Sequence, residues 1–430
     1  MENLNGKRLL VLGGSIWRQA IKDFADKHGI YLISAGLYPA GTDEIAQEFY
    51  RIDTTDRKLM IPFIREHKID GVYMGGSEMI ISSACEYINE LGLPCYCNKN
   101  QWESLQDKRL FKDLCIKHGL PVVPRFDIDP KNVAGSIQQD SFPVILKPAD
   151  GCGSSGFSVC NNTNELVAGY DNAVKASPTG SIICEKFVKN ESVVFFATFC
   201  NGQMLFSGLE DKIPVLYEKE RSYVGGIFLF ESQLVNEFKT LFEIKLQALF
   251  NSIGLKQGTA WIEVFYDNGK YYFNEVGFRY GGSVSVYPVD YFYGINQVAS
   301  DIYFALTGKG CVENHDSLIP KDFNRKKYYC AYPVHISAGQ IKEILGDEEL
   351  RKNPNVILVS LNKKVGDSVK QTGSFSQVFA LVHFVFESLD ECKEFIDYIH
   401  KTLVVKDENG NNLINRKLDA ANVRFLRMDS

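Results

Sequence analysis

Apolar and polar positions divide the chain into stretches of different period. From about Lys7 to Asn98, short apolar runs alternate with helical patterns. Arg8-Leu9-Leu10-Val11-Leu12 ends in Gly13-Gly14-Ser15 and leads into a helical stretch over residues 18–28. Further apolar runs stand at 31–34, 49–52, 71–74 and 94–97, with a helical pattern between each pair. This is βαβ patterning and predicts a parallel sheet. The Gly13-Gly14 turn lacks Gly-x-Gly-x-x-Gly, so a tight strand-to-helix turn competes with nucleotide binding there. The same turn suits the wall of a substrate pocket at the carboxyl ends of the strands.

The pattern shifts near Gln101. Asp107-Lys108-Arg109-Leu110-Phe111-Lys112 lies on a helix that ends at His118-Gly119-Leu120-Pro121. Lys108 and Lys112 are four apart and share a face, which by default is a solvated basic face. Phe142-Pro143-Val144-Ile145-Leu146-Lys147 is a strand with a lysine near its end. The loop after it carries Gly151, Gly153, Ser154, Ser155 and Gly156, and a further strand follows. Such a loop can turn its amides toward phosphate oxygens while Lys147 supplies a point charge. It is no Walker loop, since Gly-Lys-Ser/Thr is missing. Ser181-Ile182-Ile183-Cys184-Glu185-Lys186-Phe187-Val188 reads as a strand with an acid at its end, and Glu191 follows six residues on. An adenine ring and its ribose need backbone donors and acceptors, an apolar sandwich and an acid, and this segment can supply them.

Residues 258–282 alternate aromatic and β-branched side chains around Asp267-Asn268-Gly269, and predict a β-hairpin. With those three residues as the loop, Tyr266 pairs with Lys270, Glu263 faces Phe273 and Glu275 faces Trp261. Glu263 and Glu275 are then diagonal neighbours on one face, roughly 7–8 Å apart. They are either two unrelated acids on a wet face or a pair that needs a cation between them. Mg²⁺ suits the second case, being bound by one or two carboxylates plus substrate phosphates. Arg279 closes the strand. Beyond it residues 296–307 are helical, and from His335 onward short strands and a helix over about 389–400 predict a separate α+β unit.

Composition narrows the class. The chain has 430 residues, 45% of them hydrophobic, and a net charge of −6. That is material for several cores, with no basic patch of the kind a nucleic-acid binder needs. No run of 18 apolar residues occurs and the N-terminus lacks a signal-peptide core, so no membrane partner is expected. Eleven cysteines are scattered without Cys-x-x-Cys spacing, which argues against zinc and fits a reducing cytoplasm.

In this order and spacing the segments resemble the ATP-grasp superfamily over about residues 3–330. The family pattern is a helix lysine, a strand lysine before a Gly-rich flap, a Glu-x-Phe-Val hinge with a ribose acid, two metal carboxylates, and Glu-x-x-x-Arg. Lys108, Lys147, Gly151 to Gly156, Glu185 to Val188, Glu191, Glu263, Glu275 and Arg279 stand in the matching places. Many relatives carry Asn two residues after the second metal acid, and here Gly277 stands there. The last stretch is similar, more loosely, to the C-terminal domain of L-amino-acid ligases.

The resemblance implies a multidomain α/β and α+β chain: a Rossmann-like parallel-sheet domain at 1–100, an ATP-grasp domain at 101–330, and a small α+β domain at 331–430. The lid of the ATP-grasp domain, about 122–190, would bear a mobile flap. The implied activity is ATP- and Mg²⁺-dependent ligation of a carboxylate to an amine through an acyl phosphate, with Mn²⁺ as a substitute metal. Glu263 and Glu275 would hold the metal. Lys108 and Lys147 would contact the α- and β-phosphates, with Gly151, Gly153, Ser154, Ser155 and Gly156 as the flap over them. Glu185, Lys186, Val188 and Glu191 would take adenosine, and Arg279 the transferred phosphoryl group. The partners implied are small-molecule carboxylates and amines, with a homodimer admitted. A carboxylating or purine-type ATP-grasp enzyme, or an ATP-binding protein without turnover, remain as alternatives.

Overall fold

The computed structural model describes all residues except 1, 150–155, 189–190, 219–221, 311–316, 419 and 427–430. The early apolar runs form β1 (Arg8–Leu12), β2 (Tyr31–Gly36), β3 (Glu48–Arg51) and β4 (Gly71–Tyr73), a parallel sheet ordered β3-β2-β1-β4. Helix α1 (Arg18–His28) connects β1 to β2, α2 (Arg57–Glu66) connects β3 to β4, and α3 (Glu78–Glu90) follows β4. Continuous apolar runs are what a sheet buried on both faces requires. Leu10 and Leu12 enter one core with Phe195, Phe199 and Phe273, whereas Leu9 and Val11 enter another with Val298 and Ile302.

Two expected elements are not there. Residues 94–97 form no strand: Pro94 has no N–H for a ladder, and the Cys97 carbonyl accepts from the Asn89 side chain at 2.8 Å. Nor does a helix join β2 to β3. Pro39 and Gly41, the latter at φ +84°, turn the chain, and the Gln47 side chain accepts from the Leu32 amide at 2.7 Å.

Two short helices, α4 (Lys99–Gln106) and α5 (Lys108–Lys117), lead out of this region. A small antiparallel sheet follows, with β5 (Arg125–Phe126), β6 (Val144–Pro148), β7 (Ser158–Cys160) and β8 (Ile182–Lys186) ordered β5-β8-β6-β7. Helix α6 (Thr163–Ala176) packs on it through Leu166 and Ala173 over Val144, Leu146 and Cys184.

The long sheet comes next: β9 (Ser192–Cys200), β10 (Gln203–Tyr217), β11 (Ser222–Phe230), β12 (Gly258–Asp267) and β13 (Lys270–Gly277). Its order is β13-β12-β9-β10-β11, continued by strands Tyr328–His335, Val378–Phe386 and Val356–Leu361, antiparallel throughout. Strand Tyr328–His335 crosses the 330/331 boundary expected from the sequence and carries one sheet into the C-terminal stretch. Helix α7 (Val235–Ser252) lays Phe238, Phe242 and Leu246 on the core shared with Phe195 and Phe273. Burying each such side chain contributes about 1.5–3 kcal/mol. Helices α8 (Val286–Tyr293) and α9 (Gln297–Thr307) cover the other core. Among the described residues no helix is long and apolar enough to cross a membrane.

Candidate functional site

The hairpin of β12 and β13 is turned by Asn268 and Gly269, at φ 51° and 78°. Both central residues at positive φ define the tight two-residue turn whose twist matches the strands. Asp267 therefore pairs with Lys270, so the expected three-residue loop and its register are corrected. The ladder then slips once, between Glu263 and Val264, with Asn274 as the extra residue of a bulge. Glu263 consequently faces Glu275 directly and neither diagonally nor across from Phe273. The Asn274 side chain donates to Glu263 Oε2 at 2.9 Å.

Two lysines meet this acid pair. Lys212, from β10, binds Glu263 Oε1, which also accepts from Ser192 Oγ at 3.1 Å. Glu263 is only 6% exposed. Burial pushes its carboxyl up, but the Lys212 ammonium and the hydrogen bonds outweigh burial and hold it below its ordinary value. Lys108 Nζ lies 2.8 Å from Glu275 Oε2. Lys108 sits at the first turn of α5, capped by the Asp107 carboxylate, which accepts from the amides of Arg109 and Leu110. Helix α5 packs on β13, so its N-terminus delivers Lys108 to the hairpin face.

A second cluster lies on the small sheet. Glu185 of β8 is 2% exposed and is bound by Lys112 at one oxygen and by Lys147 of β6 at the other, 2.7 Å away. Arg125 Nε approaches Oε1 at 3.7 Å. Burial raises the Glu185 carboxyl, and the Lys147 and Lys112 charges reverse that, leaving it lowered. Lys112 is itself 2% exposed, which corrects the solvated basic face expected of α5. Burial lowers its ammonium to about 8 against the pull of Glu185. The Glu185 side chain is thus engaged by internal cations.

These clusters face each other across a cleft of about 230 Å³ between the small sheet and the hairpin, walled by Lys108, Lys147, Glu185, Lys186, Val188 and the Glu263–Glu275 pair. Val123, Ile145 and Ile183 supply apolar surface at one end, and Phe157 stacks near Tyr223 with centroids 6.5 Å apart. Lys186 Nζ donates to the Ser141 and Phe142 carbonyls at 2.9 and 3.0 Å, which fixes it to the small sheet. Gly156 is at φ +74° and follows residues that are not described; Gly151, Gly153, Ser154 and Ser155 lie outside the described residues. Glu191 is held by Arg424 of the C-terminal stretch. Arg279 stands off the cleft lining, donating from Nε and Nη2 to Glu78 Oε1 at 3.0 and 2.6 Å.

Sequence reasoning missed Lys212, Asn274, Ser192 and Arg125, and took Lys112 for a solvated residue. A signal for Lys212 existed: Glu210-Asp211-Lys212 sets three charges inside an otherwise apolar strand of fifteen residues. Asn274 and Ser192 carried none, because a bulge and a cross-sheet contact are tertiary facts.

Residues 107–194 match the family model for the ATP-binding domain of carbamoyl-phosphate synthase L chain. Dapdiamide A synthase of Enterobacter agglomerans is 22% identical over 246 residues, covering 54% of this chain and 54% of that protein, so the chain spans about half the length of this curated relative. Among solved structures, the biotin carboxylase domain of Hydrogenobacter thermophilus 2-oxoglutarate carboxylase, in complex with MgADP and bicarbonate, superposes with TM-score 0.73 at 17% identity, covering 96% of this chain and 92% of that one. The L-amino acid ligase of Bacillus licheniformis gives 0.71 at 19% identity over 94% of this chain and all of its own. Over residues 107–194 the chain is thus similar to that ATP-binding domain, and it shares its fold with these ligase and carboxylase structures.

Proposed function

We propose that the chain is an ATP- and Mg²⁺-dependent ligase that activates a carboxylate as an acyl phosphate and joins it to an amine, releasing ADP and phosphate. The observation that carries this reading is the directly opposed Glu263–Glu275 pair with Lys108, Lys147 and Lys212 around one cleft. Two neighbouring carboxylates repel unless cations offset their charge, and here a lysine ammonium is bound to each of them. The donor set fits Mg²⁺, which is usually bound through one or two carboxylates and substrate phosphates. When bound, the metal would neutralise charge on the phosphate oxygens.

The chain's own residues do the rest by positioning, since phosphoryl transfer asks little covalent chemistry of the protein. Lys147 and Lys108 present ammonium groups to the phosphates from opposite walls. Glu185, by pinning Lys147, orders that charge in advance. The backbone from Lys186 to Val188 would take the adenine edge, and Glu191 the ribose hydroxyls. Arg279 would stabilise the transferred phosphoryl group. Gly151 to Gly156, between two strands of the cleft sheet, would cover the phosphates and exclude water from the acyl phosphate. The parallel sheet at residues 1–100 supports a Rossmann-like unit that lines the substrate side, and 331–430 a small third unit. The likeness to dapdiamide A synthase and to an L-amino acid ligase supports an amine as second substrate.

An ADP-release screen of carboxylic acids crossed with amines, read by mass spectrometry of the products, tests the proposal. Release that depends on both partners, with a condensed product, is expected. Release with bicarbonate alone would move the reading to a carboxylating enzyme, and MgATP binding without release under any pair would remove turnover.

A further inference from the structure

The Trp261 indole occupies ground that the nucleotide reading leaves unused. Trp261 and Gly277 are cross-strand partners, two residues from Glu263 and Glu275 on their respective strands. With a strand period of two, all four positions share one face. A Cβ on Gly277 would come within 2.3 Å of Trp261 Nε1 and 2.4 Å of Cε2, so the indole lies directly over the glycine. Arg279, two residues further, places its guanidinium carbon 5.2 Å from the Trp261 ring centroid. Glu275, Gly277 and Arg279 thus make one row, with Glu263 and Trp261 beside it.

Trp261 Nε1 is buried, and no described residue accepts from it. An indole N–H is a donor only, and a buried donor left unmade costs about 1–3 kcal/mol. Such a group cannot ligate a cation. Beside an arginine it recognises an oxyanion. Arg279 already holds one: the Glu78 carboxylate, whose side chain is 50% exposed. The Arg279 side chain is 19% exposed, so the acid is the partner free to swing into water and leave the guanidinium to a better ligand.

The geometry points to Trp261 as an oxyanion-binding residue: its indole N–H and the Arg279 guanidinium together hold one carboxylate or phosphoryl group beside the Glu263–Glu275 pair. Gly277 is glycine so that the indole can reach this place. With a donor-only N–H and a guanidinium on the same indole, the position beside Glu275 would take a negative group and not a further cation. The inference rests on reading the acid pair as the metal and nucleotide site.

The test uses the full chain, with MgADP at saturation and either orthovanadate or acetate titrated, and reads the shift in thermal unfolding midpoint. Trp261→Phe keeps a ring over Gly277 and removes the donor, while Gly277→Ala displaces the indole and leaves Trp261 and Arg279 chemically intact. Both variants should keep MgADP affinity within about twofold and lose about tenfold in affinity for an anion that the wild type binds. A loss confined to orthovanadate assigns a phosphoryl group, and one confined to acetate a carboxylate; either supports the inference. Unchanged anion affinity in Trp261→Phe overturns it, as does a wild type that binds MgADP and neither anion, and both leave the nucleotide reading standing. A wild type that takes up no MgADP overturns the two together.

Discussion

Glu263 on β12 and Glu210 on β10 lie in one register line of the long sheet, each directly opposite Val194 of the strand between them. Both are buried, at 6% and 1% exposure, yet their charge states diverge. Glu263 has Lys212, and its carboxyl is held low. Among the described residues Glu210 accepts from the Ser283 hydroxyl, at 3.1 and 3.3 Å, and burial pushes it up to about 8 against that bond and the Lys212 charge. Lys212 is two residues from Glu210 on the same strand face, so either acid was within its reach; it goes to Glu263. Asp211 and Glu231 follow Glu210: burial raises them to about 6 and about 7, with the Leu426 amide donating to Asp211 and the Leu209 amide and Tyr293 hydroxyl donating to Glu231. Burial alone therefore does not mark a site. An acid kept ionised indoors by bound cations is a candidate for one, which its variants must test.

The strongest way to break the comparison is to strip a clasped acid of its role. In Glu185→Ala, Lys112 stays 2% exposed with its carboxylate gone. Removing one partner of a buried pair costs about 3–5 kcal/mol, and urea unfolding should show a loss of that size. A loss below about 1 kcal/mol would mean the clasp is wet, as surface pairs are.

Glu275→Gln separates chemistry from stability. Lys108 and Glu275 are 48% and 29% exposed, so losing their ion pair should change stability by less than about 1 kcal/mol. Mg²⁺-dependent ADP release should fall about 100-fold or more, the scale of losing one preorganised electrostatic group. Full activity in this variant would remove the pair from the metal site.

The neutral acids leave a signature in pH. A carboxyl raised on folding binds its proton more tightly in the native state than in the unfolded chain. Native stability then falls as pH climbs from the ordinary carboxylate value of 4.5 through about 8 for Glu210. Lowered acids such as Glu185 and Glu263 act oppositely, losing their contribution as pH drops below 4.5. Glu210→Gln should flatten the decline above pH 4.5 and leave the acid limb unchanged. An unaltered alkaline slope would show that Glu210 is ionised in the fold.

Much of this was legible in local pattern. The parallel strands of the N-terminal region, the hairpin, the helix through Lys108 with its stop at Gly119, and the strand lysine Lys147 all follow from period and turn chemistry. What was not legible is whatever depends on a bulge or a cross-sheet reach. A two-residue turn instead of three, and one extra residue at Asn274, moved Glu275 from Trp261 to Glu263. Periodicity cannot count bulges. Nor could it tell that Lys112, four residues from Lys108, turns inward to Glu185 while Lys108 turns to the cleft. A helix face is defined by what packs against it, and that is settled in three dimensions.

The smallest expected effect lies at the edge of the cleft, where Arg424 binds Glu191 across 233 positions of sequence. The two side chains are 38% and 30% exposed, so the pair adds little stability. Its neighbours anchor the segment independently: Phe425 packs on Tyr328 at 4.7 Å, and the Leu426 amide donates to Asp211 at 3.0 Å. Removing the arginine should therefore free Glu191 without releasing the C-terminal stretch. If Glu191 accepts the ribose hydroxyls, a nucleotide must compete with Arg424 for it, and Arg424→Ala should tighten MgADP binding by about two- to fivefold, under 1 kcal/mol by calorimetry. Unchanged affinity would mean that the two bind Glu191 together or that the ribose sits elsewhere. Weaker binding would make Arg424 a nucleotide contact contributed by the last stretch of the chain, and Glu191 a positioning residue for it.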